Sequence, residues 1–99
     1  MTKIYKSFQY RFKEPWYQLS QDERRALVAK VVNALESVGG KNILMCNSGW
    51  SSEEWPGFGV DEYPDVEAVR THTRLLHELN WFRYLESRSI LGTEAQPQS

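Results

Sequence analysis

Between residues 3 and 12 apolar and polar side chains alternate, with Ile4, Phe8, Tyr10 and Phe12 on one side and Ser7, Gln9 and Arg11 on the other. A period of two sends successive side chains to opposite faces of a pleated strand, so this run predicts the first strand. Residues 13–19, which include Pro15, Trp16 and Tyr17, read as a connecting loop. The period then lengthens: Leu27, Val31, Leu35 and Val38 recur at helical spacing, and Val28, Val32 and Ala34 widen the stripe. Ser20-Gln21-Asp22-Glu23 is a capping box in front of this helix, and Gly39-Gly40 supplies its stop.

Residues 41–50 form a second strand candidate. Its run Ile43-Leu44-Met45-Cys46 is continuously apolar, which predicts burial on both faces. A polar turn around Trp50 leads past Pro56 to a third strand at 57–63. There Phe58, Val60 and Glu62 share one side, and the small Gly57 and Gly59 stand opposite. Tyr63-Pro64-Asp65 predicts a helix start with proline in the first helical position. The second helix lines Val66, Val69, Thr73, Leu76 and Leu79 along one face and leaves Glu67, Arg70, Arg74 and Glu78 solvated. Trp81 to Leu91 reads as a fourth strand in which Phe82, Tyr84, Glu86, Arg88 and Ile90 share a side. Residues 93–99 read as a flexible tail, which leaves residues 1–92 as a single domain.

Strand, helix, strand, strand, helix, strand is the split β-α-β order. It predicts an α+β, ferredoxin-like fold: a four-stranded antiparallel sheet with both helices on one face. The other face is left bare, although strand two is apolar on both sides and Tyr5, Trp81, Leu85 and Leu91 occupy the second sides of strands one and four. A second copy packing sheet against sheet would cover it. The chain's 99 residues make this attractive, because a domain of that size buries only about two-thirds of its unfolded surface.

Composition narrows the classes of function. The net charge of −1 comes from charges scattered along the chain, with no basic run to neutralise phosphates, so nucleic acid is not an expected partner. Cys46 is alone, which rules out an intrachain disulfide and a cysteine-rich metal site; inside its apolar run it is expected to pack. The first residues carry no apolar leader and no stretch nears the roughly 20 apolar residues of a membrane span, so a cytoplasmic location without membrane contact is expected. No glycine-rich phosphate loop, no His-x-x-x-His or Cys-x-x-Cys spacing and no Gly-x-Ser-x-Gly turn occurs. Neither a metal nor a cofactor is expected.

Four segments, spread from about Ile4 to Gly92, carry a resemblance: Trp16-Tyr17-Gln18-Leu19-Ser20-Gln21-Asp22-Glu23-Arg24, Gly49-Trp50-Ser51, the run from Phe58 through Tyr63-Pro64-Asp65-Val66-Glu67-Ala68 to Val69, and Trp81-Phe82-Arg83-Tyr84. With them the chain resembles the dimeric α/β barrel superfamily. The resemblance implies a homodimer and a ligand pocket inside each subunit, between sheet and helices. Its members include cofactor-independent monooxygenases, polyketide cyclases, small isomerases and dehydratases, and haem-degrading enzymes, so it does not choose a reaction.

Candidate catalytic residues are polar groups that can reach such a pocket. His72 and His77 lie on the second helix, near the edge of its apolar stripe, and imidazole titrates near neutral pH. A half-exposed surface histidine is the competing reading for each. Tyr84 is a further acid or base candidate, and Glu62 is a buried carboxylate candidate if its side faces the helices; a salt bridge to Arg83 or Arg88 is its alternative. Tyr10, Trp50, Trp81 and His77 are candidate walls for a planar ligand, with core or dimer packing as the alternative. Three functions follow: a cofactor-independent dimeric enzyme of monooxygenase, cyclase or isomerase type acting on an apolar or aromatic metabolite; a non-catalytic homodimeric binding protein; and a haem-binding or haem-degrading protein using a helix histidine.

Overall fold

The computed structural model describes residues 2–96. The elements run β1 (Ile4–Phe12), α1 (Glu14–Tyr17), α2 (Gln21–Ser37), β2 (Lys41–Asn47), β3 (Gly57–Tyr63), α3 (Val66–Glu78), α4 (Trp81–Tyr84) and β4 (Leu85–Gly92). The four strands form one antiparallel sheet in the order β2-β3-β1-β4, the ferredoxin-like arrangement that the element order predicts.

Local chemistry sets the helix ends. Ser20 accepts from the Glu23 backbone N–H at 3.1 Å while the Glu23 carboxylate accepts from the Ser20 N–H at 2.8 Å, closing both halves of the capping box. Gly39, at φ 77°, takes the left-handed conformation that ends α2. At the start of α3 the cap is Asp65, whose side chain accepts from the Ala68 N–H at 2.8 Å; Pro64 lies before the helix instead of opening it.

Three further expectations are corrected. The segment 13–19 contains a one-turn helix, α1, where Trp16 is buried and stacks on Phe12 with ring centroids 4.1 Å apart. Residues 81–84 are helical and β4 begins only at Leu85, because Trp81 turns in to meet Phe12 and Trp16 edge-on. Strand β2 ends at Asn47 and is an edge strand, with Ile43, Leu44 and Met45 all exposed where burial on both faces was expected. An irregularity in its pairing at Ile43 breaks the alternation, so the continuous apolar run reflects a bulge at an uncovered edge.

Register fixes the two faces. Ile4, Lys6, Phe8 and Tyr10 stand opposite Tyr63, Asp61, Gly59 and Gly57, and this face turns toward the helices, where Ile4 and Tyr63 join Leu35, Ala68, Val69 and Val38 in the core. The outer face carries Tyr5, Ser7, Gln9 and Arg11 opposite Glu62, Val60, Phe58 and Glu86 respectively. Leu85, expected on the outer face, is buried on the helix side opposite Phe12, and Leu91 stands opposite Lys6. The outer apolar positions are Leu44, Phe58, Val60 and Ile90. Thr93–Gln96 carry no helix or strand, and residues 97–99, the rest of the expected tail, lie outside the described residues.

Candidate functional site

The inner face has an apolar core at one end and an aromatic cluster, Tyr10, Phe12, Trp16 and Trp81, at the other. Between them lie four titratable side chains that ordinary packing would avoid: Lys6 on β1, Asp61 and Tyr63 on β3, and His72 on α3. Tyr63 is completely buried and His72 is only 3% exposed. Their side chains meet, Tyr63 Oη to His72 Nδ1 at 2.7 Å. Whichever atom holds the shared proton, the second imidazole nitrogen, Nε2, is sealed from solvent with no hydrogen-bond partner among the described residues. Such an orphaned polar atom costs about 1–3 kcal/mol, and native cores rarely keep one without a reason.

Burial dominates the electrostatics. It pushes the His72 pKa down to about 4, helped by the positive charge of Lys6, and it raises that of Tyr63, helped by the negative charge of Asp61. At neutral pH both are therefore uncharged. Burial also lowers the Lys6 pKa, against the pull of Asp61, and raises that of Asp61, against a hydrogen bond from Asn42 and the charge of Lys6. Asn42 Nδ2 donates to Asp61 Oδ1 at 2.9 Å and so fixes the carboxylate, while the Lys6 ammonium sits 5.7 Å from the Tyr63 ring centre.

Glycines let aromatic rings reach across the sheet beside this group. A Cβ on Gly57 would meet Tyr10 Cζ at 2.5 Å, and one on Gly59 would meet Phe8 Cζ at 2.8 Å and Met45 Sδ at 2.5 Å. Phe8 and Tyr10 thus fill the positions where β3 has no side chains, their rings tilted 39° to each other, forming an aromatic floor next to Asp61. Asn42 and Met45, on the same side of edge strand β2, border this floor, Met45 against Gly59 and Asn42 on Asp61, and are themselves exposed.

The structure disperses the residues singled out from sequence. His72 is the one that joins the buried group. Glu62 points to the outer face, 3.6 Å from Lys3 and 3.8 Å from Lys41, because its neighbour Asp61 takes the inward position. Tyr84 lies in α4, its carbonyl held by the Lys13 N–H at 2.9 Å and its ring near Arg83. Tyr10 and Trp81 belong to the aromatic cluster. His77 is exposed against Phe82, and Trp50 is 86% exposed on the turn after β2, its indole N–H donating to the Asn47 carbonyl at 3.1 Å. Lys6, Asp61 and Tyr63 carry no sequence motif. The one available signal was strict alternation: with Gly57 and Gly59 assigned to the helix side, Asp61 and Tyr63 must follow.

Comparison with solved structures aligns 98% and 96% of this chain with two variants of chlorite dismutase from Candidatus Nitrospira defluvii, at TM-scores of 0.73 and 0.75 and 15% and 18% identity. At these identities the likeness is one of fold, the ferredoxin-like α+β arrangement of a four-stranded antiparallel sheet with helices. A protein of unknown function from Rhodopseudomonas palustris aligns over 97% of this chain and 85% of its own, at a TM-score of 0.69 and 21% identity. This chain spans 42% and 41% of the two chlorite dismutase chains. No family model and no curated protein matches the sequence. No helix among the described residues is long and apolar enough to cross a membrane.

Proposed function

We propose that the protein is a cofactor-independent enzyme of isomerase or cyclase type that moves a proton on a small apolar or aromatic carbonyl compound. The observation that carries this reading is the convergence of Lys6, Asp61, Tyr63 and His72 on the helix side of the sheet, each with a pKa displaced by burial. Asp61 is the base: its raised pKa brings it closer to the working pH, and Asn42 orients it. Lys6 supplies positive charge for the oxygen on which negative charge develops, in a water-poor site where such an interaction is strong. Tyr63 and His72 stay neutral and hold the back wall by their mutual hydrogen bond. Phe8 and Tyr10 provide the apolar aromatic surface for the substrate.

Pairing of two copies through the outer face accompanies this reading. Phe58 and Ile90 stand exposed there, and the lengths of the chlorite dismutase chains leave room for a second domain of this size in each. To test the chemistry, a panel of small aryl ketones is incubated with the protein in D2O and deuterium exchange at the carbon next to the carbonyl is followed by NMR. Catalysed exchange that falls at least a hundredfold in Asp61→Asn supports the proposal. Equal exchange in both proteins, or none with any ketone, overturns it.

The haem reading rests on the chlorite dismutase neighbours and on a helix histidine. His72 does not fit it: its Nδ1 is held by Tyr63 Oη at 2.7 Å and its Nε2 is sealed in the core, leaving no nitrogen open to an iron. His77 is open to solvent. Haem titrated into the protein is expected to give no Soret shift that depends on either histidine.

A further inference from the structure

The lysines of this chain are not alike. Lys3 and Lys41 answer Glu62, Lys13 donates to the Phe82 carbonyl at 2.8 Å, and Lys30 stands exposed on α2. Lys6 is the remaining one, half-buried on the inner face. Among the described residues its amine has neither a carboxylate within ion-pair distance nor a hydrogen-bond acceptor; beside it lie the Tyr63 ring, its centre 5.7 Å away, and Asp61, opposite in register. Asp61 is held by Asn42 at 2.9 Å instead.

Burial lowers the Lys6 pKa against the pull of Asp61, so a larger share of Lys6 than of an exposed lysine carries a free lone pair at neutral pH. A desolvated lysine of this kind is a nucleophile toward carbonyl carbon. On the β4 side its neighbours are Leu91, directly opposite, and Ser89, one pleat along and opposite Phe8. Both are exposed, so the helices leave that side of Lys6 open. Asp61 repels a second carboxylate and Phe8 offers an apolar surface next to Lys6, which together favour an uncharged substrate over an oxo acid.

We infer that Lys6 acts covalently, condensing with an uncharged ketone or aldehyde that carries a hydrogen on the carbon next to the carbonyl. The inference rests on the inner site as the seat of carbonyl chemistry and names its nucleophile. The Lys6 Nζ lone pair attacks the carbonyl carbon, and the proton lost by nitrogen passes to the oxygen. The carbon–oxygen bond then breaks, with the Asp61 carboxyl supplying the proton that lets the oxygen leave as water. Asp61, now a carboxylate, takes the proton from the adjacent carbon, and the electron pair of the broken C–H bond moves toward the iminium nitrogen. Return of the proton and addition of water release the product and the free amine, with nothing oxidised or reduced. The positive charge of Lys6 is then carried by the carbon–nitrogen double bond instead of standing beside the oxygen.

Phenylacetone is the probe, at neutral pH with sodium cyanoborohydride, which reduces an iminium to a stable secondary amine. Peptide mapping by mass spectrometry reads each lysine of the full chain separately. An adduct is expected at Lys6 at least about tenfold faster than at Lys3, Lys13, Lys30 or Lys41, as a pKa lower by about one unit would give. Its growth should abolish deuterium exchange into the ketone in step, while cyanoborohydride alone leaves the exchange intact. Lys6→Met and Lys6→Arg, their folds checked by circular dichroism, are both expected to lose the exchange. Arginine keeps the positive charge and forms no iminium, so exchange that survives in K6R makes Lys6 a charge only and overturns the inference. Labelling no faster at Lys6 than at the other lysines, or labelling that leaves exchange intact, also overturns it. A selective Lys6 adduct in a protein that exchanges no ketone upholds the condensation and overturns the proton transfer to Asp61; exchange lost in Asp61→Asn but kept in K6R does the reverse.

Discussion

Asp61 and Glu62 are neighbours in the chain and opposites in the molecule. Asp61 faces the helices, only 6% exposed, held by Asn42 and with its pKa raised by burial. Glu62 faces outward between Lys3 and Lys41. The same contrast holds for the whole sheet. Inside, charged and polar groups are desolvated and few partners answer them; outside, Arg11 and Glu86 pair half-exposed, and Glu62, though largely covered, is answered by two exposed lysines. A group's chemistry therefore depends less on its type than on which way the pleat turns it, because desolvation outweighs the weak interactions available at a wet surface.

The largest break in this contrast should come from Tyr63→Ala. It empties a completely buried ring position and leaves both nitrogens of His72 without partners, so unfolding in urea should show a loss of about 3–5 kcal/mol. The next largest effect is set by pH. The His72 pKa is near 4 in the folded chain against 6.5 ordinarily, so the unfolded chain takes up the proton first as pH falls. Stability from this group is complete above about pH 6.5 and declines toward pH 4, by about 3 kcal/mol at about 1.4 kcal/mol for each tenfold change. Asp61 acts in the opposite sense, since its raised pKa favours the folded state in acid and loses that advantage as pH rises. Denaturation across pH 4–7 should therefore show a steeper acid loss in Asp61→Asn than in the wild type, and almost none from this source in His72→Leu.

Asp61→Asn should itself raise the denaturation midpoint at pH 7 while removing the proposed base, the trade of stability for function expected of a working site. A smaller loss, about 1–3 kcal/mol, is expected for Gly57→Ala, whose methyl group collides with the Tyr10 ring. The smallest is Glu62→Gln, which removes only two long ion pairs to exposed lysines and should change stability by less than about 1 kcal/mol. A Glu62 effect as large as that of Tyr63 would erase the distinction between the two faces.

Much of the fold is legible in the sequence. The alternation of β1, the capping box of α2 and the glycine stop at Gly39 are local signals with local causes, and each element forms where those signals stand. The site is less legible. His72 can be singled out by its residue type alone, but its burial depends on packing between α3 and β3. Trp50 stands out in sequence because it is an apolar residue among polar ones; the structure leaves it on a surface turn, held by one hydrogen bond to Asn47. Trp81 shows why β4 starts late: its partners Phe12 and Trp16 are some 65 to 70 residues away in sequence, and no window around 81–84 contains them.

The sequence by itself determined the order of the four strands and the two long helices, that Asp61 and Glu62 oppose each other, and that this order closes into an antiparallel sheet with one uncovered face. These follow from backbone periodicity and capping, which act over a few residues. Only the tertiary structure decided which of the two carboxylates is turned toward the helices and that Tyr63 meets His72. Those outcomes depend on register between strands distant in the chain and on where the helices settle, and a one-residue change in register exchanges the two faces.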